Sequence, residues 1–194
     1  MAFFGLIKSK EERKAEEEKK LQVQNANNLF FNELRNGNFK NLPPVRQDNL
    51  PFINLKKGEH LLYRAINVFY DEPRSVRVSN RGGGSVRVAK GFWLHSSQSR
   101  SVSHDQMTNL DAGNLVFTNK CLIFVGKLRS VDVNYGQIVS FVAYTDGFLF
   151  NKSGRQKPFQ FRTGNNRLKS DVHGVDFKVN GVFVRSLIQG CLKG

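Results

Sequence analysis

From Asp111 to Phe161 apolar and polar residues alternate in short runs, each closed by a turn signal, a pattern that suits successive antiparallel strands and little else. Leu115-Val116-Phe117 and Leu122-Ile123-Phe124-Val125 flank Thr118-Asn119-Lys120, and an asparagine in such a connection tolerates the left-handed backbone of a tight hairpin. Val131, Val133, Ile138, Val139, Phe141 and Ala143 carry the alternation to Tyr144-Thr145-Asp146-Gly147, whose Asp-Gly pair is a strong hairpin signal. Phe148–Phe150 and Phe159–Phe161 form one more pair across Gly154. The expected strands are 113–118, 121–125, 129–134, 137–144, 147–151 and 158–162. Only the last apolar set, Val182, Val184, Leu187 and Ile188, changes to helical spacing, which predicts a helix from about Val179 to Leu192.

Upstream of this core the signals change. Ser9-Lys10-Glu11-Glu12 matches a capping box and predicts a helix from Ser9 to the stop signal Asn36-Gly37. Its first half is polar all round, with Glu16 and Lys20 spaced for an ion pair. In its second half Ala26, Leu29, Phe30 and Leu34 recur at helical spacing, so residues 23–34 suit packing against the rest of the chain or a second copy. The apolar tip Phe3, Phe4, Leu6 and Ile7 reads as a frayed terminus, with a membrane or partner contact as the other reading. Pro43, Pro44 and Pro51 make 38–57 an extended linker, leaving 1–37 as a helical extension and 58–194 as a β domain.

Within that domain Leu61 to Phe69 is rich in the residues of strands. Ser75–Val78 and Ser85–Ala89 alternate apolar and basic positions around Arg81-Gly82-Gly83-Gly84, which reads as a flexible loop between two short strands. Arg77 and Arg87 then fall on the face opposite Val76, Val78, Val86 and Val88. The glycine run lacks the Lys-Ser/Thr and following helix of a phosphate-binding loop.

Ser85-Val86-Arg87-Val88-Ala89-Lys90-Gly91, Asp111 through Lys120, Leu122-Ile123-Phe124-Val125-Gly126 and Asp146-Gly147 together resemble a group of bacterial proteins with a pleckstrin-homology-like, GRAM-like core, over about residues 58–190. Where that group usually reads Thr-Asn-Lys-Arg, Cys121 takes the place of the arginine. The resemblance implies a mainly β (α+β) fold, an antiparallel PH-like split barrel of about seven strands in two packed sheets, capped by a C-terminal helix. The long N-terminal helix is added to it. The quoted motifs are turn and core residues, so what they transfer is fold.

Charge points to the class of partner. Residues 1–73 hold 12 Lys and Arg against 10 Asp and Glu, whereas residues 74–194 hold 18 against 6, so most of the net +14 belongs to the strand-rich part. Anionic partners are favoured: a lipid surface, an acidic protein, or nucleic acid with Phe92, Trp93 or Tyr135 stacking on bases. The candidate anion-binding residues are Arg77, Arg81, Arg87 and Lys90 in the first hairpin and Lys152, Arg155 and Lys157 in a later one. Lipid-binding pleckstrin-homology domains typically concentrate basic residues in the first hairpin. Self-association or assembly through residues 23–34 is a further reading.

Catalytic signals are weak. His60, His95, His104 and His173 are scattered without metal-ligand spacing, the serines from Ser96 to Ser103 form a polar stretch with no nucleophile elbow and read as a surface loop, and Asp132, Asp146, Asp171 and Asp176 make no close pair. Cys121 and Cys191 are far apart in sequence and read as free buried thiols. The expectation is a non-enzyme without cofactor or metal. No stretch reaches the roughly 20 apolar residues of a membrane span, and a charge run follows the short apolar start, so the chain is expected to be cytoplasmic, with the inner membrane face as a peripheral site.

Overall fold

The structure is a computed structural model that describes residues 10–45, 53–89, 92–170 and 174–193, with the backbone alone described at Lys10 and from 77 to 104. Among the described residues helix α1 (Lys10–Arg35) is followed by nine strands and a last helix: β1 (Leu61–Ala89), β2 (Phe92–Thr118), β3 (Cys121–Gly126), β4 (Ser130–Asn134), β5 (Ile138–Ala143), β6 (Gly147–Lys152), β7 (Phe159–Arg162), β8 (Arg167–Ser170), β9 (Val175–Lys178) and α2 (Gly181–Cys191). The first seven strands form one antiparallel sheet in the order β4-β3-β2-β1-β7-β6-β5, and β8 and β9 pair separately. The sheet is open, with β4 and β5 at its two ends.

Most of the expected strands, and the final helix, stand within a residue or two of their expected bounds. Three features differ. The resemblance implied two packed sheets, but β1 is long enough to pair with β2 throughout and with β7 at Phe69–Asp71, which joins both halves into one sheet. The β8–β9 hairpin was not foreseen, because four-residue strands such as Arg167–Ser170 carry too few apolar positions to show a period. Finally, Arg81–Gly84 is no loop: Gly82, Gly83 and Gly84 pair with Gln98, Ser97 and Ser96, and Ala89 pairs with Phe92 at the far end. The serine-rich stretch expected as a surface loop is therefore the returning strand. Backbone pairing across a ribbon needs no side chain, so a glycine run opposite serines can continue a ladder that an apolar pattern does not announce.

The core is an aromatic stack on one face of the sheet. Tyr70, Phe124, Phe148, Phe150, Phe159 and Phe161 are buried, with ring centroids 5.2 Å apart for Tyr70–Phe161 and 5.1 Å for Phe150–Phe159. Each fully buried phenylalanine contributes about 1.5–3 kcal/mol from apolar transfer. Tyr63 ties β1 to α2 by an edge-to-face contact with Phe183 at 5.0 Å. The side chain of Asn180 caps α2 by accepting from the N–H groups of Val182 and Phe183.

Helix α1 joins the same core by its second half. Ala26, Phe30, Phe31 and Leu34 are buried, and Phe31 meets Phe177 of β9 at 4.9 Å. Leu29, expected on this face, is instead 60% exposed, and the neighbouring Phe31 takes the buried position. The helix ends as its Asn-Gly pair predicts: Gly37 has φ +79°, its N–H reaches Leu34 O at 3.0 Å and the N–H of Asn38 reaches Glu33 O at 3.0 Å, the bond pattern of a Schellman cap. Where the helix ends it crosses α2 at Gly190, whose missing Cβ would lie 1.9 Å from Leu34 O. The first half of α1 is exposed, and the Glu16–Lys20 pair forms at 3.2 Å. Ser9, the cap residue of the expected capping box, lies outside the described residues, as do 46–52 of the linker. Phe39 and Leu42 of the linker pack against the core.

Candidate functional site

Beyond the body of the sheet β1 and β2 continue alone. Pairing with β7 stops at Asp71 and pairing with β3 starts at Gly113, yet the β1–β2 register runs on from Glu72–Thr108 to Ala89–Phe92. At about 3.3 Å per residue this two-stranded ribbon rises roughly 55 Å. Between Arg74 and Thr108 it holds Arg74, Arg77, Arg81, Arg87, Lys90 and Arg100 against one acid, Asp105. Directly paired residues share a face, so the register places positions 77, 81 and 87 on one side with positions 103, 99 and 93. The side chains of Arg77, Arg81 and Arg87, and Lys90 altogether, lie outside the described residues.

The ribbon is fastened to the sheet by two buried carboxylates that the sequence reading did not single out. Asp71 accepts a forked pair from Arg162, Nε to Oδ2 at 2.6 Å and Nη2 to Oδ1 at 3.1 Å, and also accepts from the Asn109 side chain at 2.8 Å. The bond to Asp71 raises the pKa of Arg162. Glu72 accepts from the Tyr70 hydroxyl and from Arg155, and Arg129 stands 3.9 Å away. Burial alone would push the Glu72 carboxyl up, but the bonds from Tyr70 and Arg155 and the charges of Arg155 and Arg129 outweigh it and hold the group below its ordinary value. Burial, followed by the bond and charge of Glu72, raises Tyr70. The signal for this root was present in the sequence as two adjacent acids inside a strand of a basic region, and their partners Arg155 and Arg162 come from 83 and 91 residues away.

This accounts for part of the second basic hairpin. Arg155 is bound to Glu72 and lies 3.9 Å over the Phe159 ring, while Lys157 Nζ donates to Pro73 O at 3.1 Å. Lys152 is half-buried at the end of β6, opposite Ile138. Arg155 and Lys157 thus hold the base of the ribbon, and Arg77, Arg81 and Arg87 are set by register farther along it.

A second carboxylate knot fixes the other strand. Asp111 Oδ1 accepts from the N–H of Ala112 at 2.8 Å, and its Oδ2 accepts from Leu128 at 2.7 Å and Arg129 at 2.8 Å. Burial opposes its ionisation, and these backbone donors overcome it, so its pKa is lowered. The cysteines are free, as expected. Burial, then a bond to Glu59, pushes the Cys121 thiol up to about 11, and burial pushes Cys191 up to about 12. His60 is exposed; the side chains of His95 and His104, and His173 altogether, lie outside the described residues. Among the described residues no group of three His, Cys, Asp or Glu could hold a metal, and no helix is long and apolar enough to cross a membrane.

Comparison with known proteins returns no matching family model, no matching curated protein and no matching solved structure.

Proposed function

We propose that this protein is a non-enzymatic interaction module whose single open sheet keeps a pleckstrin-homology-like strand order, and whose basic first hairpin contacts an anionic membrane surface. The strand order supports the core: β1 to β4 form one meander, β5 to β7 a second, β7 returns to β1, and α2 follows beside β5. The observation that carries the function is the ribbon itself, an extension of the first hairpin with six basic residues and one acid. At about 1 kcal/mol per basic residue near an anionic leaflet, three arginines suffice for weak, salt-sensitive binding. Burial that raises both thiols speaks against a cysteine nucleophile at Cys121 or Cys191.

Nucleic acid is the second reading, favoured by ribbon width, because a two-stranded β-ribbon fits the DNA major groove. Co-sedimentation with vesicles containing phosphatidylserine or only phosphatidylcholine, beside a gel shift with single- and double-stranded DNA, separates the two at physiological salt. Retention on the phosphatidylserine vesicles is expected, falling at least fivefold in an Arg77→Ala, Arg81→Ala, Arg87→Ala variant. Binding to DNA alone, with a steep salt slope, replaces the membrane by nucleic acid. Binding to neither removes both readings.

A further inference from the structure

A cleft beside the body of β1 has the size and lining of a small-molecule site. Ala65 and Val68 are both buried in the core although they stand three apart, because pairing with β2 shifts between them and leaves Ile66 and Asn67 as a bulge. Asn67 takes φ +52°, and among the described residues no other non-glycine residue adopts the left-handed region. The bulge is held from outside. The Asn166 carboxamide accepts from the Ile66 N–H at 2.9 Å and donates to the Ile66 carbonyl at 2.6 Å, so a side chain stands where a neighbouring strand would pair. Asn166 also donates to Thr163 O, which ties the turn after β7 to the same place.

Between the bulge and that turn lies a cleft of about 770 Å³, walled by Ile66, Asn67 and Phe69 on β1 and by the residues from Gly164 to Arg167. This falls within the roughly 300–1,000 Å³ of small-molecule sites. The lining selects the ligand. Ile66 is 50% exposed and Phe69 38%, which gives an apolar wall. Asn67 and Asn165 are exposed, and among the described residues nothing hydrogen-bonds to their side chains, whose carboxamides can both donate and accept. The two cations at the cleft are already neutralised: Arg162, 5.1 Å over the Phe69 ring, is forked to Asp71, and Arg167 is bonded to Asp176. Among the described residues no carboxylate lines the cleft. A charged ligand of either sign therefore gains little here, and Arg162 occupies ring surface on which a nucleobase would stack. A neutral molecule with an apolar face and a rim of hydroxyls matches both the wall and the carboxamides.

We propose that this cleft binds a neutral sugar, with the carbon–hydrogen face of its ring against Ile66 and Phe69 and its hydroxyls bonded to the carboxamides of Asn67 and Asn165. The turn that completes the cleft leads into the separate β8–β9 pair, outside the seven-stranded sheet. The cleft shares no residue with the basic ribbon, and the proposal stands whatever the ribbon binds.

The test follows the amide NMR signals of the isotope-labelled full chain at physiological salt. The probes are the neutral disaccharides cellobiose, maltose, lactose and diacetylchitobiose, beside adenosine and a sulfated heparin disaccharide. At least one neutral disaccharide is expected to bind at millimolar Kd and to shift the signals of Ile66, Asn67 and Asn165. Affinity should fall at least fivefold in Asn67→Gly, which keeps the left-handed backbone without the carboxamide, and in Asn165→Ala. It should stay unchanged at raised salt and in the triple arginine variant of the ribbon, because the ligand carries no charge to screen. Both asparagines are exposed, and melting curves check that the variants fold; the map of shifted signals needs no variant at all. No shift with any neutral disaccharide, shifts confined to other residues, or indifference to both substitutions overturns the proposal. So does adenosine shifting these signals where the sugars do not, since the cleft would then be a nucleoside site. Binding of the heparin disaccharide alone, lost in the ribbon variant, overturns it as well and assigns the contact to the ribbon.

Discussion

Two carboxylates define how the ribbon is held, and each makes a prediction at the scale of a single residue. Glu72→Gln keeps the shape but removes the charge that Arg155 and Arg129 face. Arg155 is part-exposed, which limits the cost to about 1–2 kcal/mol, and the root should loosen. Urea denaturation should show the loss, and limited proteolysis should show faster cleavage between 74 and 106. Asp111→Asn leaves backbone donors of Ala112, Leu128 and Arg129 short of acceptors, at about 2 kcal/mol. Both carboxyls have folded pKa values below their unfolded ones, so their contribution is complete at neutral pH. As pH falls past about 4 the unfolded chain takes up protons first, and the contribution is lost as pH drops through the folded values. Melting temperature measured from pH 7 to pH 3 should therefore drop at the acid end, less steeply in Asp111→Asn than in the parent.

At the scale of the element, α1 divides into an exposed half and a packed half. Deleting residues 1–20 should move the melting temperature by no more than about 2 °C, since residues 11–20 are exposed apart from half-exposed Glu16 and surface ion pairs contribute little. Phe30→Ala opens a cavity against Phe31 and Phe177 and should cost about 3–4 kcal/mol. Leu29→Ala should stay within about 0.5 kcal/mol. Helical spacing correctly marked Ala26, Phe30 and Leu34, but Leu29 and Phe31 both lie within one residue of the stripe centred on Phe30. Only the position of β9 decides which of them is covered. The same reasoning explains the ribbon: Val76, Val78, Val86 and Val88 announced two short strands, and the glycines between them gave no apolar signal. What made one strand of the whole stretch was the returning chain, which supplied partners from Ser96 to Gln98.

For the whole molecule, the body and the ribbon are separable in their contacts. The core rings lie at or before Asp71 and at or after Gly113 in the chain, and the described cross-contacts of the ribbon are confined to its root. Excising 75–105 and joining Arg74 to Gln106 through Asn-Gly should leave a folded sheet with a melting temperature within about 5 °C, because Arg74 and Gln106 are already paired and a two-residue turn suits that geometry. Vesicle binding should vanish in the same variant. Retained binding would move the anionic contact to the body of the protein.

The sequence by itself determined the strand-rich class, the hairpins at Asn119 and Asp146-Gly147, both helices and the helix stop at Gly37, because periodicity and turn chemistry are local properties of the chain. It also determined that the strand-rich part is basic. Tertiary structure alone decided that β1 joins the two halves into a single open sheet with β4 and β5 at its ends, and that Arg155 and Lys157 face Glu72 and Pro73. Each of these depends on residues brought together from distant parts of the chain. A side chain's type states what it can bond to, and only the fold states whether a partner from within the chain has already claimed it.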